Sequence, residues 1–274
     1  MEALNMKIEI LQYPIAWESR ENNFATIQEA LRQSPPEPGS MLVLPEMFST
    51  GFSMNVETFA ETTDGPSSTF LRELALRHGI CTVGSFPFRC PDEASKGLNR
   101  LLAFAPDGTL LARYDKIHPF TYGQEAKHYL GGQRLPLFDY GGWRVCPTIC
   151  YDLRFPEMYR RAVLDGGADL ILVIANWPSR RREHWNALLR ARAIENQAVV
   201  VGVNRVGEDP TLSYAGDSAV IDMLGKELLV CDSSQGRHTV ALDHQALLDW
   251  RAQFPALQDA TNAFELELPN PVKT

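Results

Sequence analysis

Apolar and polar positions along this chain switch repeatedly between a period of two and a period near 3.6, the spacings of strands and helices. Residues 7–13 alternate, with Ile8 and Ile10 on one face, and predict a strand. Phe24, Ile27 and Leu31 follow at helical spacing, until Pro35, Pro36, Pro38 and Gly39 end that helix. Residues 41–44 form a short apolar strand stopped by Pro45. Pro66 stands where a helix can begin, with Phe70, Leu71, Leu74 and Ala75 as its apolar face, and residues 80–86 read as the next strand. Residues 99–105 and 109–114 flank Pro106-Asp107-Gly108, a hairpin signature. Strands are then predicted at 144–150, 170–175 and 199–204, with helices at 156–164 and 182–196 between them. Shorter strands at 218–222, 228–231 and 237–242 precede a last helix at 245–253.

Strands and helices thus interleave from end to end, the pattern of a layered α/β domain. No low-complexity linker or short repeat divides the chain, so a single domain over residues 1–274 is expected, with its core over about 7–242. One connection breaks the rhythm. Residues 115–142 show little periodicity but carry Lys116, His118, Tyr122, Glu125, Lys127 and His128. Structureless loops longer than about 12–15 residues are uncommon and usually functional, so a site is expected there.

Composition narrows the class. Of 274 residues, 45% are hydrophobic and 22% charged, as in ordinary soluble globular proteins. The net charge is 26 − 34 = −8, which argues against a nucleic-acid surface. The longest apolar runs, 170–175 and 198–203, are far short of the roughly 18 residues a membrane helix needs. Residues 1–9 show no basic-then-apolar signal pattern, and either Met1 or Met6 suits a native start. The five cysteines are odd in number and form no Cys-x-x-Cys pair, and no His-x3-His partner completes a zinc pattern. No metal or cofactor is therefore expected, and at least one free thiol in a reducing, cytoplasmic compartment is.

Three apolar strands each lead straight to a reactive side chain: residues 42–44 to Glu46, 110–114 to Lys116 and 145–149 to Cys150. In open α/β sheets ligands bind beyond the carboxyl ends of strands, so if these strands are neighbours, a carboxylate, an ammonium and a thiol converge. A thiol with a reference pKa near 8.5 is mostly protonated at neutral pH. A nearby carboxylate can take its proton as attack begins. Lys116, with the backbone N–H of Tyr151, can hold the oxyanion of a tetrahedral intermediate. Attack on an amide gives a thioester and ammonia. Protonated Glu46 donates to the leaving nitrogen and afterwards activates water. Each residue also has a plainer reading: Cys150 as an inert buried thiol, Glu46 as a surface cap, Lys116 as a solvated loop lysine. The other four cysteines read as packing, although Cys146 would share a strand face with Cys150.

Leu44-Pro45-Glu46-Met47-Phe48, Tyr114-Asp115-Lys116-Ile117-His118 and the stretch from Ile149-Cys150-Tyr151-Asp152 to Pro156-Glu157 resemble, in order, the three signature blocks of the nitrilase (carbon–nitrogen hydrolase) superfamily. Ala175-Asn176-Trp177-Pro178 and Ala191-Arg192-Ala193-Ile194-Glu195-Asn196 extend the match over nearly the whole chain. The resemblance implies a four-layer α-β-β-α sandwich. It makes Glu46 the general base, Lys116 the oxyanion stabiliser and Cys150 the nucleophile. It adds Glu125 as a second glutamate holding Lys116, and it implies a homodimer or larger assembly, with residues 243–274 in contacts between copies. The cysteine block and Asn176-Trp177-Pro178 most resemble the ω-amidase branch, whose substrates are short 2-oxo dicarboxylic monoamides such as 2-oxoglutaramate or 2-oxosuccinamate. Tyr151 stands where true nitrilases more often have Trp. Rivals are an N-carbamoyl amino acid hydrolase or a nitrilase using the same triad; a non-catalytic binding member has no reason to retain all three residues.

A substrate carboxylate needs a cation or donors. Arg154, Arg180 and Arg181 are candidates, with Tyr122 as a further donor. Alternatives stay open for each. Arg180–Arg182 also reads as a solvated helix start, Trp177 as core or pocket wall, and Asp152, Arg154 and Glu157 as an ion-pair network fixing the turn after Cys150.

Overall fold

The computed structural model describes residues 6–93 and 95–261. The choice between Met1 and Met6, and residues 262–274 of the segment expected between copies, lie outside the described residues. Two mixed sheets face one another. The first contains β1 (Met6–Gln12), β2 (Met41–Val43), β3 (Cys81–Arg89), β4 (Gly97–Phe104) and β5 (Leu110–Asp115), with β6 (Tyr129–Leu130) paired to β4. The second contains β7 (Phe138–Tyr140), β8 (Trp143–Ile149), β9 (Leu170–Ala175) and β10 (Val199–Asn204). A small ribbon follows, β11 (Val206–Glu208) with β12 (Ser213–Ala215). Then β13 (Ala219–Ile221) and β14 (Glu227–Val230) extend the second sheet, and β15 (Gly236–Leu242) returns to the first.

The strand orders are β15-β1-β2-β3-β4-β5 and β14-β13-β10-β9-β8-β7. At the centre of each sheet the strands run parallel, β1-β2-β3 in one and β8-β9-β10 in the other. The helices are α1 (Arg20–Gln33), α2 (Val56–Phe59), α3 (Pro66–His78), α4 (Glu125–His128), α5 (Pro156–Leu164), α6 (Arg182–Asn196) and α7 (His244–Gln253).

Strand alternation builds the layers. Met41 and Val43 join Ile8, Ile10, Leu101 and Ile171 in the core that includes the space between the sheets. Their neighbours Leu42 and Leu44 face the other way and pack with Ile27, Leu31, Leu71 and Leu74 of α1 and α3. On the second sheet α6 lies close against β10. A Cβ on Gly202 would stand 2.5 Å from a Leu189 methyl and 2.9 Å from the Trp185 ring, so the absence of a side chain there sets the approach. The result is the α-β-β-α sandwich that the resemblance implies. Helix α3 opens on Pro66 and closes on Gly79 at φ +63°, as local chemistry requires.

The connection 115–142 is not structureless. It carries α4, β6 and β7, elements of two to four residues that are too short for a periodic signal. Among the described residues, no helix is long and apolar enough to cross a membrane. Ile171 has no exposed surface. Ile171→Ala is expected to cost about 2–5 kcal/mol of stability, read by urea denaturation, because the sandwich cannot collapse onto the void. A loss below about 1 kcal/mol would show a loosely packed core at this position.

Candidate active site

The three strand ends do converge, but not as neighbours in one open sheet. β2 and β5, which lead to Glu46 and Lys116, are separated by β3 and β4; β8, which leads to Cys150, belongs to the other sheet. The site therefore forms between two facing sheets rather than along one carboxyl edge. Beyond β2 the chain turns at Met47, which sits at φ +44°. Ser85 of β3 holds that turn, its hydroxyl accepting the Met47 N–H at 2.9 Å and its carbonyl the Phe48 N–H at 3.0 Å. Beyond β5, Lys116 still donates its backbone N–H to Asn99 of β4 at 3.0 Å.

Glu46, Lys116 and Glu125 are each at least 99% buried, which removes the surface readings of Glu46 and Lys116. The Lys116 ammonium donates to Glu46 Oε1 at 2.9 Å and to Glu125 Oε2 at 2.8 Å. Glu125 reaches this position because α4 begins there, and the Phe120 N–H donates back to its Oε2 at 2.5 Å. Glu46 Oε2 accepts the backbone N–H of Asn176 at 2.8 Å, while the Asn176 side chain donates to the Glu46 carbonyl at 2.7 Å. Asn99 donates to Glu46 Oε1 at 2.7 Å and to Glu125 Oε1 at 3.2 Å. Burial opposes the charge on Lys116, but the two carboxylates outweigh it and hold the ammonium well above the ordinary lysine range. Burial raises Glu125, against the pull of Lys116.

Cys150 ends β8 in a left-handed conformation, φ +48°, which is uncommon for a residue with a side chain and costs of order 1–3 kcal/mol. Asp152 holds it there. Its carboxylate accepts the Ile149 N–H at 3.0 Å, the Tyr114 hydroxyl at 2.6 Å and the His118 N–H at 3.0 Å. One buried side chain thereby ties the cysteine turn to the strand end that carries Lys116. The expected Asp152-Arg154-Glu157 network does not form: Asp152 works through Tyr114, His118 and the backbone, and Glu157 is exposed. His118 also stacks on Phe155 at 3.7 Å, a structural position. Arg192 of α6 secures the same turn by donating to the Leu153 carbonyl at 2.8 Å.

Burial pushes the Cys150 thiol well up, Glu46 adds to this, and Lys116 pulls against it. Cys146 lies wholly in the core, its thiol also raised by burial, and all five cysteines are free. No group of three or more His, Cys, Asp or Glu among the described residues is arranged to hold a metal ion.

Cys150 opens onto a small cavity. Phe52, Phe120, Tyr151, Trp177, Pro178 and Leu212 supply apolar walls, and Asn176, Arg154 and Arg181 the polar groups. Trp177 serves both of its possible roles: it lines the cavity and packs on Trp185 at 5.6 Å. Arg154 and Arg181 rest on aromatic faces, Trp177 at 4.8 Å and Phe120 at 5.0 Å, whereas Arg182 is paired with Asp217. Burial and the neighbouring Arg180 and Arg154 charges lower the Arg181 guanidinium from its ordinary value. Tyr122 and Arg180 fall outside the cavity lining. Tyr122 is 76% exposed and Arg180 sits near its ring, because the turn at 121–123 faces outward. Asn99, Phe52 and Leu212 were not singled out from the sequence. Asn99 reads there as one more polar position on a strand, and the other two as ordinary apolar residues.

A fold of two facing sheets with a buried glutamate, lysine and cysteine between them defines a carbon–nitrogen hydrolase. The profile of the carbon–nitrogen hydrolase family matches residues 7–252, and the chain belongs to that family. Its similarities lie in the ω-amidase branch. It is 39% identical to omega-amidase YafV of Yersinia enterocolitica over 93% of this chain and 96% of that protein. It is 30% identical to 2-oxoglutaramate amidase of Bacillus subtilis over 92% and 96%. A crystal structure of a CN-hydrolase superfamily protein from Xanthomonas campestris, carrying an arsenic adduct in its active site, superposes with a TM-score of 0.87 at 38% identity, covering 96% of this chain and 99% of that one. The chain is an amidohydrolase acting on carbon–nitrogen bonds other than peptide bonds.

Since burial and Glu46 both disfavour the thiolate, Cys150 is expected to stay protonated at neutral pH in the resting protein. The far-ultraviolet difference spectrum between wild type and Cys150→Ala should then show no thiolate band at neutral pH. A band already present there would mean that Lys116 outweighs burial and the carboxylate.

Proposed function

We propose that the chain hydrolyses the terminal amide of a small carboxylate-bearing substrate, of the 2-oxoglutaramate or 2-oxosuccinamate type, through a thioester on Cys150. The observation that carries this reading is the pair of guanidiniums, Arg154 and Arg181, facing the cavity that Cys150 lines and resting on rings rather than on carboxylates. They suit an anionic substrate in a protein of net charge −8. The names of the relatives, omega-amidase and 2-oxoglutaramate amidase, point the same way. From the unpaired cysteines we also place the chain in a reducing, cytoplasmic compartment, and from the family resemblance in a homodimer or larger assembly.

In this chemistry Glu46 takes the thiol proton as sulfur attacks the amide carbon. The carbonyl oxygen gains the electron pair and is met by the Lys116 ammonium and the Tyr151 N–H. Collapse of the tetrahedral intermediate breaks the carbon–nitrogen bond, and Glu46 returns the proton to the nitrogen, which leaves as ammonia. Water activated by Glu46 then attacks the thioester, releasing the acid and restoring the thiol. Glu125 holds Lys116 so that one of its three N–H groups stays available for the oxyanion.

Intact mass spectrometry after mixing with 2-oxoglutaramate is expected to show an acyl adduct on Cys150. Cys150→Ala should stay folded and lose turnover by orders of magnitude, and Lys116→Ala should lose about 10²–10³ in rate. Near-normal hydrolysis by Cys150→Ala would rule out the thioester, and release of carbon dioxide with ammonia would indicate a carbamoyl substrate instead. Arg154→Ala and Arg181→Ala should raise KM for the anionic amide about tenfold or more, while leaving a neutral short amide nearly unaffected. Equal losses on both substrates would remove the carboxylate role.

A further inference from the structure

Asn99 projects from β4 into the network and is 1% exposed. Its one side-chain nitrogen has two N–H groups, and the geometry uses both, on Glu46 Oε1 at 2.7 Å and on Glu125 Oε1 at 3.2 Å. The same two glutamates are bridged from the other side by Lys116, at 2.9 and 2.8 Å. Asn99, Glu46, Lys116 and Glu125 therefore close a ring. Two carboxylates and one ammonium sum to one net negative charge, held where water does not screen it. Without a further donor, such a group relieves itself by taking up a proton.

The residue type at the fourth position of the ring decides how. A second cation would neutralise the excess charge but would also compete with Lys116 for the Glu46 oxygens. An apolar side chain would leave the charge uncompensated. A neutral amide stabilises the anion by hydrogen bonds alone. It also engages Oε1, leaving Oε2, which accepts only the Asn176 N–H among the described groups, with lone-pair capacity for the thiol proton. We propose that Asn99 is a positioning residue for the reaction, holding Glu46 by Oε1 and keeping it turned so that Oε2 serves Cys150. This rests on the cysteine chemistry set out above.

The test uses Asn99→Asp, which puts an acceptor and a third carboxyl where the donor was, and Asn99→Ser, which shortens the side chain and keeps at most one donor. Folding is checked by urea denaturation. With 2-oxoglutaramate as substrate, kcat is expected to fall about tenfold or more while KM changes little. In Asn99→Asp a third carboxyl stands against the two glutamates of the ring, so the acid limb of kcat/KM moves to higher pH by about one unit or more. In Asn99→Ser it moves the same way by less. The pH dependence of Cys150 alkylation by iodoacetamide should shift in the same direction, a readout that needs no substrate. Either folded variant with wild-type pH profiles in both assays overturns the role of Asn99. Cys150→Ala, assayed in parallel, separates the two ideas. Retained turnover there defeats the cysteine reading itself. Lost turnover there, together with unmoved profiles in the Asn99 variants, defeats only the role of Asn99.

Discussion

A fully buried ammonium between two fully buried carboxylates is the interaction on which the rest of this site depends. An isolated ionised group costs far too much to hold away from water, and a buried ion pair is tolerable only when its remaining lone pairs and protons are also met. Lys116 is met by Glu46 and Glu125, and those by Asn99, the Phe120 N–H and the Asn176 N–H. These groups come from the turn after β2, from β4, from the connection after β5 and from the end of β9, so the network can exist only when all four are in place. Burial raises the Cys150 thiol, the two carboxylates add to this, and Lys116 pulls against it.

The sandwich is what makes such a network affordable in conformational terms. The central strands β2 and β9 are buried throughout, and Glu46, Lys116 and Cys150 follow within three residues of the ends of β2, β5 and β8. Two left-handed residues, Met47 and Cys150, stand at turns beside the site. Met47 is pinned by Ser85, and Cys150 by Asp152, which also reaches Tyr114 and His118 on the opposite sheet's side of the site. Asp152 thus couples the two halves of the site mechanically, while Lys116 couples them electrostatically.

Much of this was legible in the residues. Helices such as those at Pro156–Leu164 and Arg182–Asn196, and the strands at Leu170–Ala175 and Val199–Asn204, have the bounds their patterns predict, since long periodic segments carry their own signal. Glu46, Lys116 and Cys150 stood out because each follows an apolar strand. Asn99 did not, because a polar residue on a strand looks the same whether it faces solvent or bridges two carboxylates. Tyr122 and Arg180 looked like substrate donors and are turned away, while Arg154 and Arg181 were separable from them only by which face of a turn looks into the cavity.

The amino-acid order by itself determined the layered α/β class, the run of strands and helices, the family, and the three candidate reactive side chains, because all of these rest on local periodicity or on short contiguous blocks. Tertiary structure alone decided that those side chains meet across two sheets rather than along one, that Asn99 and Asp152 complete the site, and which arginines face the cavity. The physical reason is that hydrogen bonds and charge pairs between residues far apart in the chain leave no mark on local sequence pattern. They are set by sheet order and by the depth at which each side chain is buried.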